Sequence, residues 1–101
     1  MDEDLKILTK EEIDNYLKQL PGWTYNNDKI SKEFVFKDFP SVIDFIQKLT
    51  PHFQEVDHHP DIHIYYKKVV FELQRYSVGG KVTQRDIDIA TYIDDMFKKE
   101  E

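Results

Sequence analysis

The 101-residue chain predicts an α+β fold: a single domain of order α-β-β-α-β-β-α, with three helices packed on one face of a four-stranded antiparallel sheet. Three observations carry this reading. Apolar residues recur at helical spacing in three separated segments, and each segment opens on a residue suited to capping a helix. Two pairs of short runs rich in β-branched and aromatic residues lie between them. No repeat, low-complexity tract or linker divides the chain, so one domain is expected over 1–101, with residues 1–8 a loose lead-in.

Thr9-Lys10-Glu11-Glu12 matches the capping box, with Thr9 as N-cap and Glu12 reaching back to it. Ile13, Tyr16, Leu17 and Leu20 follow on one helical face, and Pro21-Gly22 ends the element. Trp23-Thr24-Tyr25, the turn Asn26-Asn27-Asp28, and Lys29 to Phe36 read as a hairpin, because Asn and Asp tolerate positive φ. From Asp38 a second helical pattern runs through Phe39, Val42, Ile43, Ile46, Leu49, Phe53 and Val56. Asp38 or Ser41 caps it, and Pro40 suits the first turn. Pro51 removes a hydrogen bond inside this segment, so a kink near Thr50 or two successive helices are expected.

Ile62 to Tyr66 and Val69 to Tyr76 read as strands around Lys67-Lys68, with Val69, Phe71 and Leu73 on one face. Gly79-Gly80 makes a turn. Thr83-Gln84-Arg85-Asp86 then starts a last helix carrying Ile87, Ala90, Ile93 and Phe97.

Composition narrows the function classes. A formal net charge of −6 argues against general nucleic-acid binding, which needs clustered Lys and Arg. No apolar run approaches the roughly 20 residues of a membrane helix. The acidic start Met1-Asp2-Glu3-Asp4 is unlike a signal peptide, so a cytoplasmic address is expected. The absence of cysteine excludes disulfides and thiol catalysis.

The chemistry concentrates in Asp57-His58-His59-Pro60-Asp61, with His63 two residues on and His52 just upstream. Imidazole titrates nearest neutrality, so adjacent histidines flanked by carboxylates suit proton transfer or metal ligation. A solvated polar loop is the plain alternative. Adjacent histidines do not readily turn both rings to one ion, so no metal is expected.

Further residues extend the pattern. Gly22-Trp23 follows the first helix, Phe36-Lys37-Asp38-Phe39 enters the second, and Asp57-His58-His59-Pro60 closes it. Tyr66, Lys68-Val69, Leu73, Gly79-Gly80, Thr83-Gln84-Arg85-Asp86-Ile87 and Ala90 complete the series. Over roughly residues 8–97 the chain resembles the pterin-4a-carbinolamine dehydratases. The resemblance implies removal of water from a 4a-hydroxytetrahydropterin to give the quinonoid dihydropterin, without metal or organic cofactor. It also implies a homodimer or homotetramer, formed by joining sheets and packing helices.

Position by position, the resemblance places His58 and His59 as the catalytic pair and Asp86 as the acid of the family signature. It places Asp57, Pro60, Gln54, Gln74 and Arg75 against the pterin, with Trp23 and Tyr66 as aromatics able to stack on a flat ring or fill the core. Two positions depart from the family pattern. Tyr76 stands for a third active-site histidine, and tyrosine, with a reference pKa of about 10, is a poor base at neutrality. Gln54 stands where an acid is common and cannot ionise; His63 is a candidate to replace the missing imidazole. The other readings are a non-catalytic pterin-binding or dimerisation module of the same fold, and a pterin step near molybdenum-cofactor metabolism.

Overall fold

Thr9 opens the first helix as its sequence pattern requires. Its hydroxyl accepts from the Glu12 N–H (3.1 Å) while the Glu12 carboxylate accepts from the Thr9 N–H (2.9 Å). The computed structural model describes residues 6–75 and 79–100. Helix α1 covers Lys10–Leu17 and buries Ile13. Strands β1 (Thr24–Asn26) and β2 (Lys29–Val35) form the first hairpin, joined by Asn27 and Asp28 at φ 53° and 62°. Both central residues are left-handed, the geometry of a two-residue hairpin turn whose twist matches that of its strands.

Helix α2 runs unbroken over Phe39–Glu55, with Asp38 rather than Ser41 as the cap. The two successive helices expected at Pro51 do not occur. Proline leaves the Gln47 carbonyl without its helical donor, and both Gln47 and Pro51 lie on the exposed face of the helix. The buried stripe is Val42, Phe45, Leu49 and Phe53, whereas Phe39 is exposed. Phe45 is thus the central core residue that the periodic reading passed over.

Strands β3 (Asp61–Tyr65) and β4 (Lys68–Leu73) form the second hairpin, and α3 covers Gln84–Lys98. The sheet order is β1-β2-β4-β3, with every pair antiparallel. Val69, Phe71 and Leu73 of central β4 lie opposite Phe34, Lys32 and Ile30 of β2, and all but Lys32 are fully buried beneath the helices. Each such apolar side chain contributes roughly 1.5–3 kcal/mol on burial. Phe34, Phe36, Phe45, Phe71 and Phe97 add edge-to-face and tilted contacts at 4.9–6.3 Å between ring centres. Ile87, Ile89, Ala90 and Ile93 close the core from α3.

Two expectations are corrected. The end of the supposed loose lead-in is tied down: Ile7 pairs with Thr83, and Leu8 is buried, its N–H bonded to the Val82 carbonyl (3.0 Å). The fourth strand stops at Leu73 rather than at Tyr76, and beyond it Arg75 forms an isolated bridge with Lys81.

Candidate active site

The site begins at the C-terminus of α2. Val56 caps the helix and Asp57 takes φ 52°. The Asp57 N–H bonds the Gln54 carbonyl (3.3 Å) and the His58 N–H bonds the Phe53 carbonyl (3.2 Å). These paired bonds are a Schellman motif, with Asp57 at the left-handed position that glycine commonly fills. The reversal throws His58 inward and His59 outward.

His58 is 6% exposed, and its Nε2–H donates to Oδ1 of Asp86, which is fully buried. Asp86 is the third residue of α3, so one carboxylate serves two structures. Its Oδ2 accepts from the Thr83 N–H (2.7 Å) and the Thr83 hydroxyl (3.1 Å), closing the helix cap. The Arg85 guanidinium donates to the Val56 carbonyl and ties α3 to the end of α2. His59 is solvent-exposed, its Nε2 2.9 Å from Oε1 of Gln54.

Asp57, His58, His59, Pro60, Asp61, Gln74 and Arg75 line one shallow cavity of about 340 Å3. Six of the eleven residues singled out by sequence therefore converge: Asp57, His58, His59, Pro60, Gln74 and Arg75. Asp86 and Gln54 stand behind the two imidazoles rather than in the cavity wall. Asp61 is a cavity residue that the site reading omitted, although its place in the Asp-His-His-Pro-Asp run marked it.

Trp23 and Tyr66 are not brought to this cavity. Trp23 is 4% exposed in the core, and its indole N–H donates to Asp94 (3.0 Å), which also pairs with Lys32 (3.0 Å). Gly22 turns the chain here at φ 93°, and a Cβ on it would come within 2.8 Å of Lys32 Cε. Tyr66 is the first residue of the β3–β4 turn, with φ 55° and 69% exposure. Tyr76 lies outside the described residues.

A larger depression of about 650 Å3 lies between α2 and α3, lined in part by His52, Arg85, Ile89 and Tyr92. Its one imidazole is stacked on Tyr92 (3.8 Å between ring centres), and no second histidine reaches it. The larger depression is therefore not where the residues singled out by sequence gather.

His63 is on the sheet face away from the helices, where its Nε2–H donates to Glu72 (3.0 Å) beside the Lys29 ammonium (3.0 Å). It does not join the cavity. Burial works to raise the Glu72 carboxyl, but the hydrogen bonds from Lys29 and His63 outweigh it and leave it below its ordinary value of 4.5. Glu12, bonded by the Thr9 N–H, and Asp38, bonded by Ser41, are lowered as well. Each carboxyl releases its proton more readily folded than unfolded. Each therefore adds stability above its unfolded pKa that disappears as pH falls through the folded value. Thermal melts should show Tm steady near neutrality and declining below about pH 4.5, the ordinary carboxyl value of Glu72; an unchanged Tm at about pH 3 would contradict these contacts.

The fold and site define a small α+β domain that presents an imidazole pair, one ring buried on a carboxylate and one exposed, at the rim of a shallow cavity. The family model for pterin 4 alpha carbinolamine dehydratase matches residues 6–96, and the chain belongs to that family. It is 43% identical over 86 residues to a Sulfolobus acidocaldarius protein that bears the dehydratase name provisionally, covering 85% of this chain and 93% of that one. A Picosynechococcus protein with the same provisional name is 43% identical over 89 residues, covering 88% and 96%. Among solved structures, a transcriptional coactivator/pterin dehydratase from Brucella melitensis superposes with TM-score 0.84 at 30% identity, covering 90% of this chain and 98% of that one. A pterin dehydratase-like RuBisCO assembly factor of the alpha-carboxysome shares the fold at TM-score 0.58 and 19% identity, covering 73% and 84%. Among the described residues no helix is long and apolar enough to cross a membrane.

Proposed function

We propose that this protein dehydrates a 4a-hydroxytetrahydropterin to the quinonoid dihydropterin, with His58 and His59 moving the protons. The observation that carries this reading is the unequal setting of two adjacent imidazoles at one cavity. Dehydration breaks the C4a–O bond, and the oxygen leaves as water once it has gained a proton. A ring nitrogen gives up its proton as the new C=N bond forms. One group must therefore give a proton while another takes one. Asp86 sets a carboxylate against the buried His58 and holds that ring through Nε2. Gln54 places only a neutral amide against His59, which suits a proton acceptor. Pairs of titratable groups set in contrasting environments are the usual basis of such a division.

The substrate is a pterin by family membership, and Asp57, Asp61, Gln74 and Arg75 supply the polar lining that a heterocycle with donor and acceptor edges requires. The test is a stopped-flow dehydration assay with synthetic 4a-hydroxytetrahydropterin, comparing wild type with His58→Ala/His59→Ala. Acceleration that vanishes in the double variant supports the reading. No acceleration by folded wild type sinks it, and pterin binding without turnover would then assign the domain as a binding module.

We further propose a homo-oligomer built on the outer edge of β3. Ile62, Ile64 and Tyr65 are exposed there, and among the described residues β3 is an outer strand of the sheet, an edge that natural sheets cover or blunt. Light scattering should give a multiple of the chain mass, and Ile64→Lys should reduce it; a monomeric wild type would refute this assembly.

A further inference from the structure

We infer that Gln54 is a positioning residue for His59: it holds the proton on Nε2, leaves Nδ1 as the nitrogen able to accept another, and adds no charge in doing so. This inference rests on the dehydratase reading for its use in catalysis, but its physical content is separate. Gln54 lies beside the residues that line the cavity rather than among them. It touches the chemistry through His59, with Oε1 2.9 Å from Nε2. With its oxygen as the atom facing the ring, the amide accepts and Nε2 carries the hydrogen.

The contact depends on the turn that ends α2. Gln54 lies in the last helical turn, and the left-handed Asp57 reverses the chain within three residues. That reversal returns His59 to the side chain it left five positions earlier. The same nitrogen of His58 meets the Asp86 carboxylate instead. Two neighbouring rings are therefore held through the same atom by partners of different charge. A carboxylate partner favours the imidazolium over the imidazole, whereas an amide partner orients the ring without that bias. Glutamine at 54 therefore fixes the tautomer without adding charge; glutamate there would fix the tautomer and favour the charged ring.

The other ionisable groups sharing the cavity with His59 are Asp57, His58, Asp61 and Arg75. All four stay in place when residue 54 alone is changed, so a comparison of variants reads that position. The experiment uses the full chain labelled with 15N-histidine, and two-bond 15N–1H correlation spectra report which nitrogen of each ring carries hydrogen. His59 is assigned by the resonances that His59→Ala removes.

Wild-type His59 should be a single Nε2–H tautomer above its titration, and Gln54→Ala should show a mixture of both tautomers. Gln54→Glu should keep the Nε2–H form and raise the His59 midpoint by roughly half a pH unit to one unit, since the site is exposed. The acid limb of kcat/KM should rise by the same amount in that variant, with the rate recovering at higher pH. A wild-type ring protonated at Nδ1 overturns the inference. So does a Gln54→Ala spectrum identical to wild type, or a Gln54→Glu midpoint that does not move. Absence of dehydration with these spectra as expected would overturn the dehydratase reading and leave the hold of Gln54 on His59 standing.

Discussion

His59→Ala should lower the dehydration rate by about 10²–10⁴-fold, the range general acid–base groups supply, while thermal stability stays near wild type. The two expectations follow from one fact: the ring is exposed and its hydrogen bond is to another exposed side chain, so the fold loses little when it goes. Stopped-flow rates and a thermal melt on the same preparation decide the point. A variant that keeps wild-type rates removes His59 from the chemistry. A variant that unfolds would mean that this ring supports the turn at the end of α2.

Asp86→Ala should strike activity and stability together. The carboxylate is fully buried, holds the buried His58 ring, and accepts two hydrogen bonds from Thr83 at the start of α3. Its removal strands buried donors at a cost of about 1–3 kcal/mol, with about 1 kcal/mol more from the lost cap. Activity should fall about 10²-fold, because His58 loses both its orientation and its counter-charge. Asp86→Asn separates the two roles. The amide keeps an oxygen for the Thr83 N–H but carries no charge, so denaturation should show most of the stability restored while the rate stays low. Full activity in Asp86→Asn would make this residue a helix cap and nothing more.

The helices were legible because their signals are local. Thr9 and Glu12, Asp38, and Thr83 with Asp86 all cap as their spacing indicates. The first hairpin turn was legible because Asn27 and Asp28 tolerate left-handed backbone, and the inward set Val69, Phe71 and Leu73 because side chains alternate along a strand. Local signals misled where context outweighed them. Pro51 predicts a break, yet the helix runs through it on its exposed face. Tyr66 looks like a strand residue, yet the pairing of Tyr65 with Lys68 puts it in the turn.

The residue run 57–61 marked the candidate site in the sequence, since covalent geometry holds its adjacent imidazoles and flanking carboxylates together. The setting of each imidazole was decided only by the tertiary fold. His58 and His59 are neighbours in sequence and alike in composition. One left-handed residue, Asp57, sends the first toward a carboxylate 28 positions away and returns the second to an amide five positions back. Trp23 shows the converse: an aromatic beside a Pro-Gly turn fits a pocket or a core equally well by sequence. Asp94, 71 residues on, draws it into the core, because a buried indole N–H needs an acceptor and the fold supplies that one.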